Sequence, residues 1–71
     1  MDLKVNGRPQ TIEASRVSVA EVLVRNDVAA PETVAVQRNG EFVEAGAYAT
    51  TYLETGDELE FLYYLGGGAK R

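Results

Sequence analysis

The sequence predicts an α+β fold in which one helix packs on one face of a mixed sheet of four to five strands. Two Asn-Gly pairs, at residues 6–7 and 39–40, each interrupt a stretch with the alternation of a β-hairpin. An amphipathic stretch that begins at Ser18 lies between the hairpins, and ELEFLYYL at residues 58–65 is typical of a last strand. The predicted order is therefore strand, strand, helix, strand, short strand, strand.

The first hairpin is predicted from LKVNGRPQTI, residues 3–12. Leu3 and Val5 fall on one face, and the return strand brings Ile12 to the same interior. Pro9 follows the turn, where a residue without an N–H is tolerated on a sheet edge.

The helix is predicted to begin at Ser18, because Ser18 and Glu21 have the S-x-x-E spacing of a capping box. Asn26-Asp27 is expected to end it after two to three turns. A helix this short needs a sheet to pack on. Its predicted apolar stripe consists of Val19, Val22 and Leu23.

The second half of the chain predicts another hairpin and a final strand. Val34 and Val36 occupy alternate positions before the second Asn-Gly turn, as in a strand. Thr55-Gly56-Asp57 is predicted to form a turn before the final strand. If the first and last strands pair in parallel at the centre of the sheet, the topology is a β-grasp. Residues 44–56 are expected to contribute inward anchors: Tyr48, Tyr52 and Leu53.

In the final strand, the side chains should alternate between the two faces of the sheet. Leu59, Phe61 and Tyr63 are predicted to face the helix. Leu62 and Tyr64 would then be exposed apolar side chains, beside three consecutive glycines.

Composition limits the classes of function. A chain of 71 residues forms one domain at most, with little room for an internal catalytic cavity. Cysteine and histidine are both absent, which excludes thiol nucleophiles, thiolate metal sites and imidazole acid–base chemistry, so we expect no enzyme activity and no bound cofactor. The net charge of −4 argues against a nucleic-acid groove and favours a basic protein partner. No apolar run is long enough to span a bilayer, and no signal peptide is evident, so a cytoplasmic location is expected.

The glycines at residues 66–68 suggest a specific use for the end of the chain. A segment without Cβ atoms can lie extended in a channel too narrow for other residues. It can therefore deliver a carboxylate into another protein's active site, where the carboxylate can attack the α-phosphate of ATP. We expect residues 1–65 to form the folded domain and residues 66–71 to form a flexible glycine tail with a short extension.

The chain resembles the ThiS-type sulfur carrier proteins of the ubiquitin-like β-grasp superfamily, which also includes the MoaD-type carriers. The resemblance covers nearly the whole length, and the length suits the ThiS type better than the longer MoaD type. The Gly-Asp pair at residues 56–57, an apolar strand and a terminal Gly-Gly are its most diagnostic features. The matching stretches are LKVNGRP, SVAEVL, VAVQRNGEFV and TGDELEFLYYLGGG.

The resemblance implies a reaction cycle that partner proteins carry out. A ThiF- or MoeB-like enzyme would use ATP to adenylate Gly68, a sulfur donor would convert it to a thiocarboxylate, and a thiazole synthase would take the sulfur for thiamine biosynthesis. Gly66 and Gly67 would thread the channel of the activating enzyme. The residues implied to dock on that enzyme are Leu62, Tyr64 and Leu65.

The chain departs from the family pattern after the glycines, because Ala69-Lys70-Arg71 ties the carboxyl group of Gly68 into an amide. The resemblance implies removal of these residues, as by the JAMM-type zinc metalloproteases that trim some carriers which supply sulfide for amino-acid or siderophore synthesis. A sulfide carrier for cysteine or homocysteine synthesis, with a sulfhydrylase as acceptor, therefore remains an alternative. So do a ubiquitin-like protein modifier and an interaction module without terminal chemistry.

Overall fold

The computed structural model of the chain describes residues 1–28 and 30–63. Within them, one α-helix and five strands follow the predicted order. Single 3₁₀ turns at Pro31–Thr33 and Ala45–Ala47 lie in the connections. The strands and the helix are β1 (Asp2–Val5), β2 (Arg8–Thr11), α1 (Val19–Arg25), β3 (Val34–Arg38), β4 (Glu41–Val43) and β5 (Glu58–Tyr63).

The strands form one mixed sheet in the order β2-β1-β5-β3-β4. The predicted parallel pairing of the first and last strands is confirmed, with Lys4 beside Glu58 and Val5 beside Leu59. The other pairs are antiparallel, and β5 runs between β1 and β3. The strand that leads into the glycine tail is therefore the central strand of the sheet.

Both Asn-Gly pairs form the predicted hairpin turns. Asn6 and Gly7 have φ of 53° and 82°, and Asn39 and Gly40 have φ of 52° and 88°. A two-residue turn with positive φ at both positions twists in the sense that a hairpin requires. Asparagine and glycine adopt this conformation most readily, so the local sequence accounts for both turns.

The helix begins at the predicted capping box. The Glu21 N–H donates to Ser18 Oγ at 3.2 Å, and the Ser18 N–H donates to Glu21 Oε1 at 3.0 Å. The N–H groups of the first two helical residues bond to the loop that precedes β5: Val19 donates to the carbonyl of Thr51, and Ala20 donates to the carbonyl of Tyr48. The helix start is thus fastened to the loop that precedes β5.

The core lies between α1 and one face of the sheet. Tyr48 and Leu53 are buried there as predicted, and the Tyr48 hydroxyl donates to the Val34 carbonyl at 2.7 Å. The described part of the chain holds no helix with the length and hydrophobicity needed to span a bilayer. The buried apolar residues are Leu3, Val5, Ile12, Val17, Val19, Val22, Leu23, Val34, Val36, Tyr48, Leu53, Leu59 and Phe61.

One predicted core residue, Tyr52, is exposed, so that prediction was wrong; Tyr63, which was predicted only to face the helix, is exposed as well. Tyr52 is 43% exposed and stacks under the guanidinium of Arg16, which lies 3.9 Å from the ring centroid. Tyr63 is 57% exposed, although Leu59 and Phe61 on the same face of β5 are buried. Tyr63 is the last residue of β5 and pairs with Val34, which is buried. Alternation therefore predicts the face of Tyr63 but not its burial.

Candidate functional site

The predicted functional residues lie at and beyond the end of β5. Leu62 is within the described residues and is 43% exposed, as predicted. Tyr64, Leu65, Gly66, Gly67 and Gly68 lie outside the described residues, so the roles assigned to them stay predictions. The described part of the site consists of the end of β5 and the surfaces beside that strand.

The end of β5 is held by β3. Leu62 pairs with Ala35, and Tyr63, the last described residue, pairs with Val34. The last described residue therefore still belongs to the strand in the middle of the sheet.

The face of the sheet opposite the helix carries apolar side chains near this point. Leu62 lies beside Ala35 across the strand pair, and Phe42 lies beside Gln37 in the next row, on the same face. Phe42 is 65% exposed. We call Ala35, Phe42 and Leu62 the outer apolar patch. They line an open groove of about 400 Å³ together with Val34, Val43, Glu44, Ala45 and Tyr48.

Sequence reasoning missed the contribution of Phe42 to this surface. The alternation of β4 was visible, but three residues of strand do not reveal which face lies over the helix. Pairing in register with β3 decides it, because Val43 lies beside the buried Val36 and Phe42 must then point the other way.

Carboxylates lie on the same side of the sheet as the outer apolar patch. Glu44 lines the groove, and Glu58 and Glu60 lie on the same face of β5 as Leu62. Among residues 1–28 and 30–63, none of these three carboxylates has a basic side chain within ion-pair distance. This side of the sheet therefore combines apolar and acidic side chains.

Asp57 of the Gly-Asp pair anchors the start of β5. Its carboxylate accepts from Arg38 Nε at 2.9 Å, from Asn39 Nδ2 at 3.0 Å and from the Glu54 N–H at 2.9 Å. The Arg38 guanidinium also forms an ion pair with it at 2.9 Å. This carboxylate thus joins the β3–β4 turn to the loop before β5, a structural role.

These contacts also determine the protonation of Asp57. Burial on its own raises the pKa of the carboxyl group. The hydrogen bonds from the Glu54 N–H, Asn39 and Arg38, together with the charge of Arg38, outweigh burial and bring the pKa below its usual value. The group is therefore ionised at neutral pH, with its acceptors occupied by the protein's own donors. The described residues hold no cluster of three or more side chains suited to a metal ion.

Comparison with known proteins identifies the family. The sequence profile of the ThiS family matches residues 3–68. The chain belongs to the ThiS family. Its fold is the predicted ubiquitin-like β-grasp, and it is similar to the crystal structure of the thiamine biosynthesis protein (ThiS) from Geobacter metallireducens, with 45% identity and a TM-score of 0.83 over 96% of this chain and 100% of that one. The solution structure of a thiamine biosynthesis protein from the same organism is 43% identical, with a TM-score of 0.77 over 100% of this chain and 92% of that one.

Two larger proteins are also similar to this chain. It is 37% identical to a thiazole synthase of Magnetococcus marinus over 68 residues, and these cover 96% of this chain and 20% of the relative. It is 35% identical to a thiazole synthase of Paramagnetospirillum magneticum over 69 residues, and these cover 97% of this chain and 21% of the relative. The chain thus spans about a fifth of the length of these relatives.

Proposed function

We propose that this chain is a sulfur carrier for thiamine biosynthesis and that Gly68 bears the sulfur. The observation that carries the proposal is the family match, which extends over the β-grasp domain and through residue 68. The similarity to a thiamine biosynthesis protein and to two thiazole synthases supports formation of the thiazole ring as the destination of the sulfur.

The proposed chemistry uses the carboxylate of Gly68 as the reacting group. A carboxylate oxygen attacks the α-phosphorus of an ATP held by a ThiF- or MoeB-like partner, the bond to the bridging oxygen breaks, and pyrophosphate leaves. Hydrosulfide from a sulfur donor then attacks the carbonyl carbon of the acyl-adenylate and AMP leaves, which gives a thiocarboxylate and a proton. Carbon and sulfur keep their oxidation states, so no redox cofactor is needed. ATP is a substrate of the partner, and this chain contributes only the acyl group.

A free carboxylate at Gly68 requires hydrolysis of the Gly68–Ala69 peptide bond. A zinc metalloprotease of the JAMM type is the proposed agent. Loss of Ala69-Lys70-Arg71 removes two positive charges and takes the net charge from −4 to −6. Processing would therefore remove both basic residues next to the reacting group and leave the domain more acidic.

The outer apolar patch is the proposed docking surface for the activating enzyme, together with Tyr64 and Leu65. Phe42 and Leu62 expose apolar area without a covering element among the described residues. An exposed aromatic beside an apolar groove is a favourable anchor for a protein partner. Because Leu62 precedes Gly66 by only four residues, docking here would bring the glycines to the partner's active site.

One feature favours a second destination for the sulfur. The residues after Gly68 resemble the short extensions of carriers that supply sulfide to a sulfhydrylase for cysteine or homocysteine synthesis. The two destinations share the same activation chemistry. They differ in the nutrient that a strain without the carrier requires.

The intact mass of the chain purified from its native cells, grown in minimal medium, tests the proposal. We expect loss of Ala69-Lys70-Arg71 and a fraction with one oxygen replaced by sulfur. A deletion strain should require thiamine, and a Gly67→Ala, Gly68→Ala variant should fail to restore growth. A requirement for cysteine or methionine would assign the second destination, and covalent adducts on lysines would assign a protein modifier. A chain always complete through Arg71, with normal growth of the alanine variant, would refute the carrier role.

A further inference from the structure

Asn6 stands where β1 turns away from β5. Pairing of the two strands ends with Val5 beside Leu59, because the chain turns at Asn6 and Gly7. On its other side, β5 stays paired with β3 up to Tyr63. The last residues of β5 therefore have a neighbouring strand on only one side within the described structure.

The side chain of Asn6 extends the pairing by one more hydrogen bond. The Asn6 N–H donates to the Leu59 carbonyl at 2.8 Å, as the next residue of a parallel strand would. In a regular parallel ladder, the Phe61 N–H would then donate to the backbone carbonyl of Asn6. Here it donates to Asn6 Oδ1, at 2.8 Å. The positive φ of the turn redirects the backbone, and the side-chain oxygen takes the place of the carbonyl.

The second Asn-Gly turn provides a natural comparison. Asn39 Oδ1 accepts from the Glu58 N–H at 2.9 Å, on the β3 side and at the start of β5. Two asparagines with the same turn conformation thus cap opposite sides and opposite ends of one strand. Only Asn6 acts at the end from which the glycine tail continues.

We propose that Asn6 is a positioning residue for the tail. Its side chain binds the Phe61 N–H, two residues before the last described residue, and so limits the movement of the last residues of β5. This inference rests on the proposed function, because it concerns delivery of Gly68 to the activating enzyme. An end that is already ordered loses less conformational freedom when the partner binds it.

Loss of the Asn6 cap should affect binding of the tail by the partner and not the chemical step. Without the Asn6 side chain, the turn can persist, since glycine also adopts positive φ. The end of β5 would then fluctuate more, and binding would have to order it. Once the partner holds the tail, the reacting carboxylate is in the same place as before. The change should therefore raise KM for the carrier and leave kcat unaltered.

The test compares Asn6→Gly, Asn6→Asp and Asn39→Gly. Asn6→Gly removes the cap, Asn6→Asp keeps an acceptor oxygen and tolerates positive φ, and Asn39→Gly makes the same replacement in the other turn. The first readout is amide hydrogen exchange of the full chain. We expect the Phe61 amide to exchange about tenfold faster in Asn6→Gly relative to the amides of β3. Asn6→Asp should restore its protection, and in Asn39→Gly the Glu58 amide should be the one that exchanges faster.

The second readout is adenylation by a ThiF- or MoeB-type enzyme from the same cells. The substrate is the chain ending at Gly68, which retains all of the described residues. Asn6→Gly should raise KM roughly three- to tenfold with kcat within about twofold, while Asn39→Gly and Asn6→Asp leave KM near the wild-type value. Equal KM effects of the two glycine variants, or unchanged exchange of Phe61 in Asn6→Gly, would overturn the inference. If the wild-type chain is not adenylated at all, the proposed function fails, and the role of Asn6 in delivery fails with it.

Discussion

Replacing Asp57 with alanine should destabilise the domain, because its carboxylate joins the β3–β4 turn to the loop before β5. The carboxylate accepts from three donors on three different residues, and the residue is only 7% exposed. Removal leaves the Arg38 guanidinium, the Asn39 amide and the Glu54 N–H without that acceptor. The β3–β4 turn and the start of β5 then lose the group that joins them.

The magnitude follows from these three donors. A donor deprived of its partner costs about 1–3 kcal/mol when it is buried. The Arg38 side chain is 29% exposed and can recover water, so the low end of the range applies. About 1 kcal/mol for each donor gives a loss of about 3 kcal/mol. That is a large share of the roughly 4–10 kcal/mol expected for a domain of 71 residues.

Urea unfolding at pH 7 measures this loss, with Glu54→Ala as the matched control. Glu54 lies in the same turn, but its side chain is exposed. Its replacement should change the free energy of unfolding by no more than about 0.5 kcal/mol. A loss below about 1 kcal/mol for Asp57→Ala, or equal losses for the two variants, would refute the anchoring role assigned to Asp57.

Three further predictions concern pH, docking and the helix. Because the fold lowers the pKa of Asp57, ionised Asp57 contributes its full stability above the unfolded-state pKa of about 4, and this contribution is lost as the pH falls through the folded-state pKa. Acid should therefore destabilise the wild type more than Asp57→Asn. Equal slopes of unfolding free energy against pH for the two proteins would contradict this. Phe42→Ser should weaken binding to the activating enzyme by tenfold or more in calorimetric titrations, whereas Tyr52→Ser, another exposed aromatic, should not; similar losses would argue against the outer apolar patch. Ser18→Ala should lower the free energy of unfolding in urea by about 1 kcal/mol, against little change for the exposed Ser15→Ala, and no difference between them would contradict the capping role.

Local signals in the sequence predicted most of the elements. The Asn-Gly turns depend on φ preferences of two adjacent residues, and the helix start depends on two side chains three residues apart. Such interactions are complete within a few residues, so they can be recognised before the fold is known. The parallel pairing of the first and last strands at the centre could be predicted because few topologies accommodate these elements.

The prediction of the functional site was more uneven. The exposure of Leu62 was predicted from alternation along β5 and is confirmed. Gly66, Gly67 and Gly68 were chosen from composition and family resemblance, and they lie beyond the described residues. Two features were not predicted: the orientation of Phe42 away from the helix, and the hydrogen bond from the Phe61 N–H to Asn6 Oδ1. Each depends on the pairing or contact of one strand with another part of the chain.

The sequence by itself determined which segments form the turns, the helix and the strands of this chain, and through its motifs it indicated the family. Only the tertiary structure decided which exposed residues form one surface and which donors meet Asp57. Burial differs even between residues on one face of β5, since Tyr63 is exposed and Phe61 is buried. Register and coverage are properties of the assembled sheet, and no short stretch of sequence contains them.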